Sequence, residues 1–220
     1  KFRKKILKPI IAIPKGAVVD LVQLVSNVNY MDKHKENIIN ANAVYIYGAF
    51  DESIITLLPE IKKQIDTQKT LKDGKIIFHI NSTGGQIRIL QSLLNLVEYA
   101  KKENVIVETI VECNAFSCGS LLACSGTIGH RYISEYGEHL VHSARCWQHS
   151  STLEQVDRNA NYMKRVINNL KDIYKKYCTL TANKGCVKNL LHHAFKDDNF
   201  YISAKDCIKY GLADKILNEK

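Results

Sequence analysis

The feature that most constrains this chain is a strand-like run at residues 105–111, followed shortly by Ala115-Phe116-Ser117-Cys118-Gly119-Ser120-Leu121-Leu122-Ala123. A β-branched run that passes through small residues into an apolar helical segment reads as a strand-to-helix step. Steps of this kind build largely parallel sheets with helices packed on them. Ser117 stands at the turn itself. A serine there has its hydroxyl held in the open, beside the backbone N–H groups that begin a helix and can hold an oxyanion. That geometry suits acyl transfer. The alternative is a plain helix N-cap, the commonest use of serine at a helix start.

Other segments repeat the pattern. Ile76-Ile77-Phe78-His79-Ile80 runs into Asn81-Ser82-Thr83-Gly84-Gly85 and then a helix over 87–100. The glycines let the backbone come close to a ligand without side-chain clash. Leu140-Val141-His142 closes a further short strand, and His142 follows Ser117 by 25 residues. It is the candidate general base, against the plainer reading of a surface histidine at a strand end. A strand is predicted over 43–47, ended by Gly48. A helix follows over 51–67, with Ile54, Leu57, Leu58, Ile61 and Ile65 at helical spacing. A polar turn covers 67–74, and short strands are predicted at 131–133 and 139–141. The alternation predicts an α/β domain with a mostly parallel sheet.

The longest predicted helix covers 152–179, with Ser151 and Glu154 at capping-box spacing. Val156, Met163, Val166, Ile167, Leu170, Ile173, Tyr174 and Tyr177 form one apolar stripe along it. At 1.5 Å per residue such a helix extends about 40 Å, longer than one small domain needs. Residues 1–42 form an N-terminal region of mixed character, in which Pro9 and Pro14 bracket Ile10-Ile11-Ala12-Ile13 and a polar loop spans 31–36; 43–220 form the main domain. No internal repeat is evident.

Composition narrows the class. With 220 residues, 45% of them hydrophobic, the chain can bury a full core in one domain with an appendage. No apolar run is long enough to span a membrane. The start at Lys1 rather than Met reads as a processed or truncated form, which leaves room for a removed targeting segment. Seven cysteines with no Cys-x-x-Cys pair read as reduced, mostly buried thiols. That suits cytoplasm or an organellar matrix, plastid or mitochondrial. A metal site from Cys186, His192 and His193 is the weaker reading of those residues. The net charge of +9 raises nucleic-acid binding. Outside Lys1-Phe2-Arg3-Lys4-Lys5 and the pairs at 62–63, 101–102 and 175–176, however, the basic residues are scattered, and no aromatic-interleaved basic motif occurs. Solvated helix faces account for the charge better.

In order along the chain, these motifs resemble the ClpP family of self-compartmentalising serine proteases (peptidase family S14). Ile80-Asn81-Ser82-Thr83-Gly84-Gly85 is similar to the family's Asn-Ser-Pro-Gly-Gly strand exit, and Ala115-Phe116-Ser117-Cys118-Gly119 to its Ala-x-Ser-x-Gly nucleophile turn. Val141-His142 resembles the catalytic histidine segment. Ser203-Ala204 and Tyr210-Gly211-Leu212-Ala213-Asp214-Lys215-Ile216 resemble the family's C-terminal segment. The resemblance covers about 43–217. It departs at Thr83, where the family has Pro, and at Ser143-Ala144, where Gln-Pro is usual.

The resemblance implies a ClpP/crotonase-like α/β fold of repeated ββα units, with the 152–179 helix as a projecting handle that interlocks two rings. It implies a serine endopeptidase with Ser117 as nucleophile, His142 as base, and the backbone N–H groups of Gly85 and Cys118 as oxyanion hole. No metal or organic cofactor is required. It further implies stacked heptameric rings of this chain, an AAA+ unfoldase partner and polypeptide substrates, with neither nucleic acid nor membrane. The third triad member stays open. The family's Asp lies four residues before the Ser of Ser-Ala, where this chain has Asn199. Asp198 takes the role if Phe200-Tyr201-Ile202 carries a one-residue insertion, and is the favoured choice; Asp197 is a further stand-in. Three other readings are a catalytically weak or inactive structural subunit of the same family, a crotonase-fold acyl-CoA enzyme, and a Ser-Lys signal-peptide-peptidase-like enzyme.

Overall fold

The computed structural model describes residues 39–40, 42–145, 152–196 and 199–217. The expectations for 1–38, and those for Ser151, Asp197 and Asp198, lie outside the described residues.

Strand β1 (Ile39–Asn40) pairs antiparallel with β2 (Ala43–Phe50). Helix α1 (Glu52–Gln68) leads to β3 (Lys75–Gly85), α2 (Ile87–Lys102) to β4 (Ile106–Phe116), and α3 (Cys118–Cys124) to β5 (Arg131–Ile133) and β6 (Glu138–Val141). Then follow α4 (Leu153–Cys178), α5 (Lys184–Lys196), β7 (Phe200–Ser203), α6 (Ala204–Tyr210) and β8 (Lys215–Ile216). Strands β2, β3, β4, β5 and β8 lie side by side in parallel. Strand β6 pairs parallel with the end of β4 and antiparallel with β7. The α/β expectation is met, and the elements predicted between 43 and 179 fall in order, while β1, α5, β7, α6 and β8 had no counterpart in the sequence reading.

Each strand's alternation has a physical consequence. Val44 and Ile46, Ile76, Phe78 and Ile80, and Val107 and Val111 point to one face. There they join Ile54, Ile61 and Ile65 of α1 and Leu90, Leu93 and Val97 of α2 in a single core. The other face, with Tyr45, Ile77, His79 and Ile110, stays half-buried. Parallel sheets are normally covered on both faces, so this one is left with an incompletely covered side.

Several predicted boundaries shift. Strand β2 continues through Gly48, with a register shift between Gly48 and Ala49. Strands β3 and β4 outrun their apolar cores, because the ladder between them extends as far as Ser82 opposite Ala115. At the start of α4 the cap is Thr152, not Ser151: its hydroxyl accepts from the Gln155 backbone N–H, and the Gln155 side chain accepts from the Thr152 N–H. The box is the predicted device, moved by one residue.

The stripe on α4 divides in two. Val166, Leu170, Tyr174, Tyr177 and Cys178 are buried within the protomer. Val156 and the first-turn Leu153 are exposed, Leu153 by 81%. Within the helix that the resemblance implies as a ring-joining handle, Val166 and Leu170 therefore belong to the protomer's interior. They are only 8% and 6% exposed, and they join the protomer's own core.

The C-terminal segment is tied in by Arg131. Its guanidinium is buried and pairs with Asp214, and it also donates to the carbonyls of Cys124 and Gly211 and to the Thr181 hydroxyl. Asp214 in turn accepts from the backbone N–H groups of Gly129 and Arg131. A buried charge is tolerated only when paired and hydrogen-bonded this fully.

Candidate active site

Ser117 is placed by the end of β4 and the start of α3. Its backbone N–H donates to Leu140 O of β6 at 2.8 Å, and its carbonyl accepts from the Ser120 N–H that opens α3. These bonds hold it at φ 54°, ψ −113°. Positive φ is strained for a side chain with a Cβ and is met with where the surrounding fold over-determines it. The side chain makes no cap bond to α3. The plain N-cap reading is thereby set aside: the hydroxyl is not spent on the helix.

The turn is shaped by the exit of β3. Gly84 and Gly85 have φ 88° and 148°. A Cβ at Gly85 would meet the backbone of Phe50 at 2.6 Å. Ser82, buried beneath the loop, donates from its hydroxyl to Gly48 O at 2.6 Å and accepts from the Gly84 N–H at 3.1 Å. Ser82 is a positioning residue that the sequence reading quoted only as part of a motif. Its place two residues before Gly84 was the available signal.

Ser117, His142, Gly85 and Cys118 all line one cavity of about 230 Å³, together with Thr83, Ile87, Leu121, Ala144, Arg145, Leu170 and Tyr174. The Cys118 thiol donates to Gly85 O at 3.3 Å, and burial pushes its pKa up to about 11. It is a poor nucleophile, so what Cys118 can offer a reaction is its backbone. Burial likewise raises the Tyr174 phenol well above its ordinary range.

His142 follows directly on β6. Its Nδ1 is buried, and among the described residues no hydrogen-bond partner reaches it. Asn199 does not serve it: the Asn199 amide oxygen accepts from Arg145 Nη2 at 3.1 Å. Asp198 lies outside the described residues. Arg145, Leu170 and Tyr174 belong to this cavity and were not foreseen as site residues. Leu170 and Tyr174 come from a helix far along the chain, and no local pattern marks them. Among the described residues no three His, Cys, Asp or Glu side chains come together as a metal site, and no helix is long and apolar enough to cross a membrane.

The model of the family described as Clp protease matches residues 26–220. The chain is similar to the ATP-dependent Clp protease proteolytic subunit of Streptococcus thermophilus, 28% identical over 155 residues, covering 70% of this chain and 72% of the relative. It is 29% identical over 153 residues to the protein of the same name from Streptococcus mutans, with the same coverage.

Proposed function

The chain belongs to the Clp protease family, and from that premise we propose that it is a serine endopeptidase, the proteolytic subunit of a Clp-type compartmentalised protease that hydrolyses unfolded proteins and peptides. The observation that carries this reading is Ser117: a strained, uncapped serine sharing one cavity with His142 and with the backbones of Gly85 and Cys118.

In this mechanism Ser117 Oγ attacks the peptide carbonyl while His142 Nε2 takes its proton. The N–H groups of Gly85 and Cys118 hold the oxyanion of the tetrahedral intermediate, each such donor being worth about 3 kcal/mol of barrier. His142 returns the proton to the leaving amine, and water then hydrolyses the acyl-enzyme with His142 again as base. A carboxylate from Asp198 would fill the vacant Nδ1 position and stabilise the imidazolium. The chemistry draws on no metal or organic cofactor.

The assembly reading is stacked heptameric rings of this chain, fed by an AAA+ unfoldase, with 43–220 as the protease domain and α4 as the handle. The half-covered sheet face and the exposed Leu153, Val156 and Tyr162 on the first half of α4 support it, since apolar surface of this kind is normally covered by a partner. Free thiols that are mostly buried fit a reducing compartment, cytoplasm or organellar matrix. A catalytically inactive structural subunit is the second reading, favoured by one observation, the unpartnered Nδ1 of His142.

A fluorophosphonate probe and a fluorogenic peptide test the choice. The assembled wild-type protein is expected to be labelled at Ser117 and to cleave the peptide, and Ser117→Ala to do neither. An unlabelled, inactive wild type would favour the structural subunit.

A further inference from the structure

A second cavity, of about 480 Å³, lies at the opposite end of β4 from Ser117 and shares no lining residue with the first. The end of α2, the start of β4, the turn at 126–128 and the end of α4 enclose it. All four segments fall well inside the described stretches 42–145 and 152–196. Val105, Ile128, Leu180 and the ring of Tyr177 give it an apolar lining. Ile128 and Leu180 are large aliphatic side chains, yet they are 41% and 61% exposed at this one place.

The charges around the cavity are unequal. Glu98 is fully engaged: Lys176 Nζ donates to one carboxylate oxygen at 2.7 Å, and the Tyr177 hydroxyl donates to the other at 2.5 Å. The nearby Arg131 is matched by Asp214. Lys101 has no such match. Its ammonium donates to the Ser125 carbonyl and stands 4.7 Å from the centre of the Tyr177 ring, and among the described residues no carboxylate pairs with it. Burial lowers its pKa in spite of the Glu98 charge nearby. That is the direction for an ammonium that has given up water without gaining a counter-ion.

We infer that this cavity binds a small organic acid, one carboxylate carried on an apolar body, with Lys101 as the residue that holds the carboxylate. The volume lies within the range of about 300–1,000 Å³ usual for small-molecule sites. The carboxylate supplies the missing counter-ion in a partly dry setting, where a charge-assisted hydrogen bond is stronger than on open surface. The apolar body covers Val105, Ile128 and Leu180, and each methylene it takes out of water adds affinity. An amine on the same body meets Lys101 and Lys176 as like charges. Nothing in this assignment depends on the chemistry of Ser117.

Calorimetric titration of the full chain with octanoate, octanol and octylammonium tests it. One octanoate is expected to bind per chain, about tenfold more tightly than octanol, the factor of one charge-assisted hydrogen bond. Octylammonium should bind most weakly. Lys101→Met keeps the length of the apolar stem and should level octanoate with octanol, whereas Lys101→Arg should keep part of the preference. Glu98→Gln removes the one carboxylate of the lining and should tighten octanoate. Thermal melts establish that each variant is folded. Should Lys101→Met fail to fold, Ile128→Glu at the exposed rim carries the test, and it must abolish octanoate binding. Equal binding of octanoate and octanol would overturn the assignment. So would a preference that survives Lys101→Met or Ile128→Glu, or a folded wild type that binds no octanoate.

Discussion

The α-carbon of Gly84 lies against the side chain of Ser117: a methyl group added at Gly84 would sit 2.6 Å from Ser117 Cβ and 2.8 Å from Phe116 O. The two residues come from neighbouring parallel strands, whose register sets Ser82 opposite Ala115. The β3 exit is thus pressed onto the nucleophile turn. Gly84→Ala is expected to push Ser117 off its position and lower kcat/KM for a small peptide by about a hundredfold, the penalty of a displacement near 1 Å. Fluorophosphonate labelling of Ser117 should slow in parallel. Full activity in this variant would show that the contact yields without cost.

Ser117 carries backbone strain at φ 54°. Two substitutions separate the strain from the chemistry. Ser117→Ala removes the hydroxyl but keeps a Cβ, so hydrolysis should vanish while the thermal midpoint stays near that of the wild type. Ser117→Gly also abolishes hydrolysis, but relieves the torsion and should stabilise the fold by about 1 kcal/mol. Paired denaturation curves decide it. A glycine variant less stable than the alanine one would contradict the idea that the fold forces this residue out of its preferred region.

The vacant Nδ1 of His142 gives the third-residue question a measurable form. Asp198→Ala should reduce turnover severely, by a factor on the order of 10⁴ if Asp198 orients the imidazole in the active assembly. Asn199→Ala should leave turnover of an uncharged peptide mostly intact, because its amide oxygen is engaged by Arg145. The opposite pattern, with Asn199→Asp raising activity and Asp198→Ala silent, would return the role to position 199.

The two halves of α4 should respond differently to charge. Leu153→Glu with Val156→Glu on the exposed half should lower the mass of the assembly in sedimentation, with the protomer still folded. Leu170→Glu on the buried half should instead unfold the protomer, since even Leu170→Ala is expected to cost about 2–5 kcal/mol. An exposed-half variant that assembles normally would remove this helix from the contact between rings.

His139 is fully buried, with Nδ1 2.9 Å from the Ser120 hydroxyl and, among the described residues, no partner for Nε2. Burial, with a smaller contribution from the charge of Arg131, lowers its pKa from 6.5 to about 3. Between those values the unfolded chain binds a proton that the folded chain does not. Stability attributable to this group is therefore complete above about pH 6.5 and declines as pH falls toward 3, by up to about 1.4 kcal/mol per unit. His139→Gln should flatten that slope in urea midpoints measured across this range. The same slope in wild type and variant would assign the acid sensitivity to other groups.

What could be read from the residues alone was whatever depends on neighbours along the chain. The apolar run Ile76-Ile77-Phe78-His79-Ile80, and the helical spacing of Ile54, Ile61 and Ile65, mark elements because both are properties of neighbours along the chain. Ser117 at a strand-to-helix turn and the paired glycines at 84 and 85 were legible for the same reason. The extra length of β3 and β4 was not, because a ladder continues wherever the neighbouring strand offers partners, whatever the hydrophobic pattern. Nor could the stripe on α4 say where it stops facing the protomer. Val156 and Val166 are alike in sequence, and only packing into the protomer's core buries the second. The gathering of Leu170, Tyr174 and Arg145 around Ser117, the capture of Asn199 by Arg145, and the burial of the Arg131–Asp214 pair are contacts between residues distant in the chain. Their energies depend on distance and exclusion of water, which the order of residues does not contain and the tertiary structure supplies.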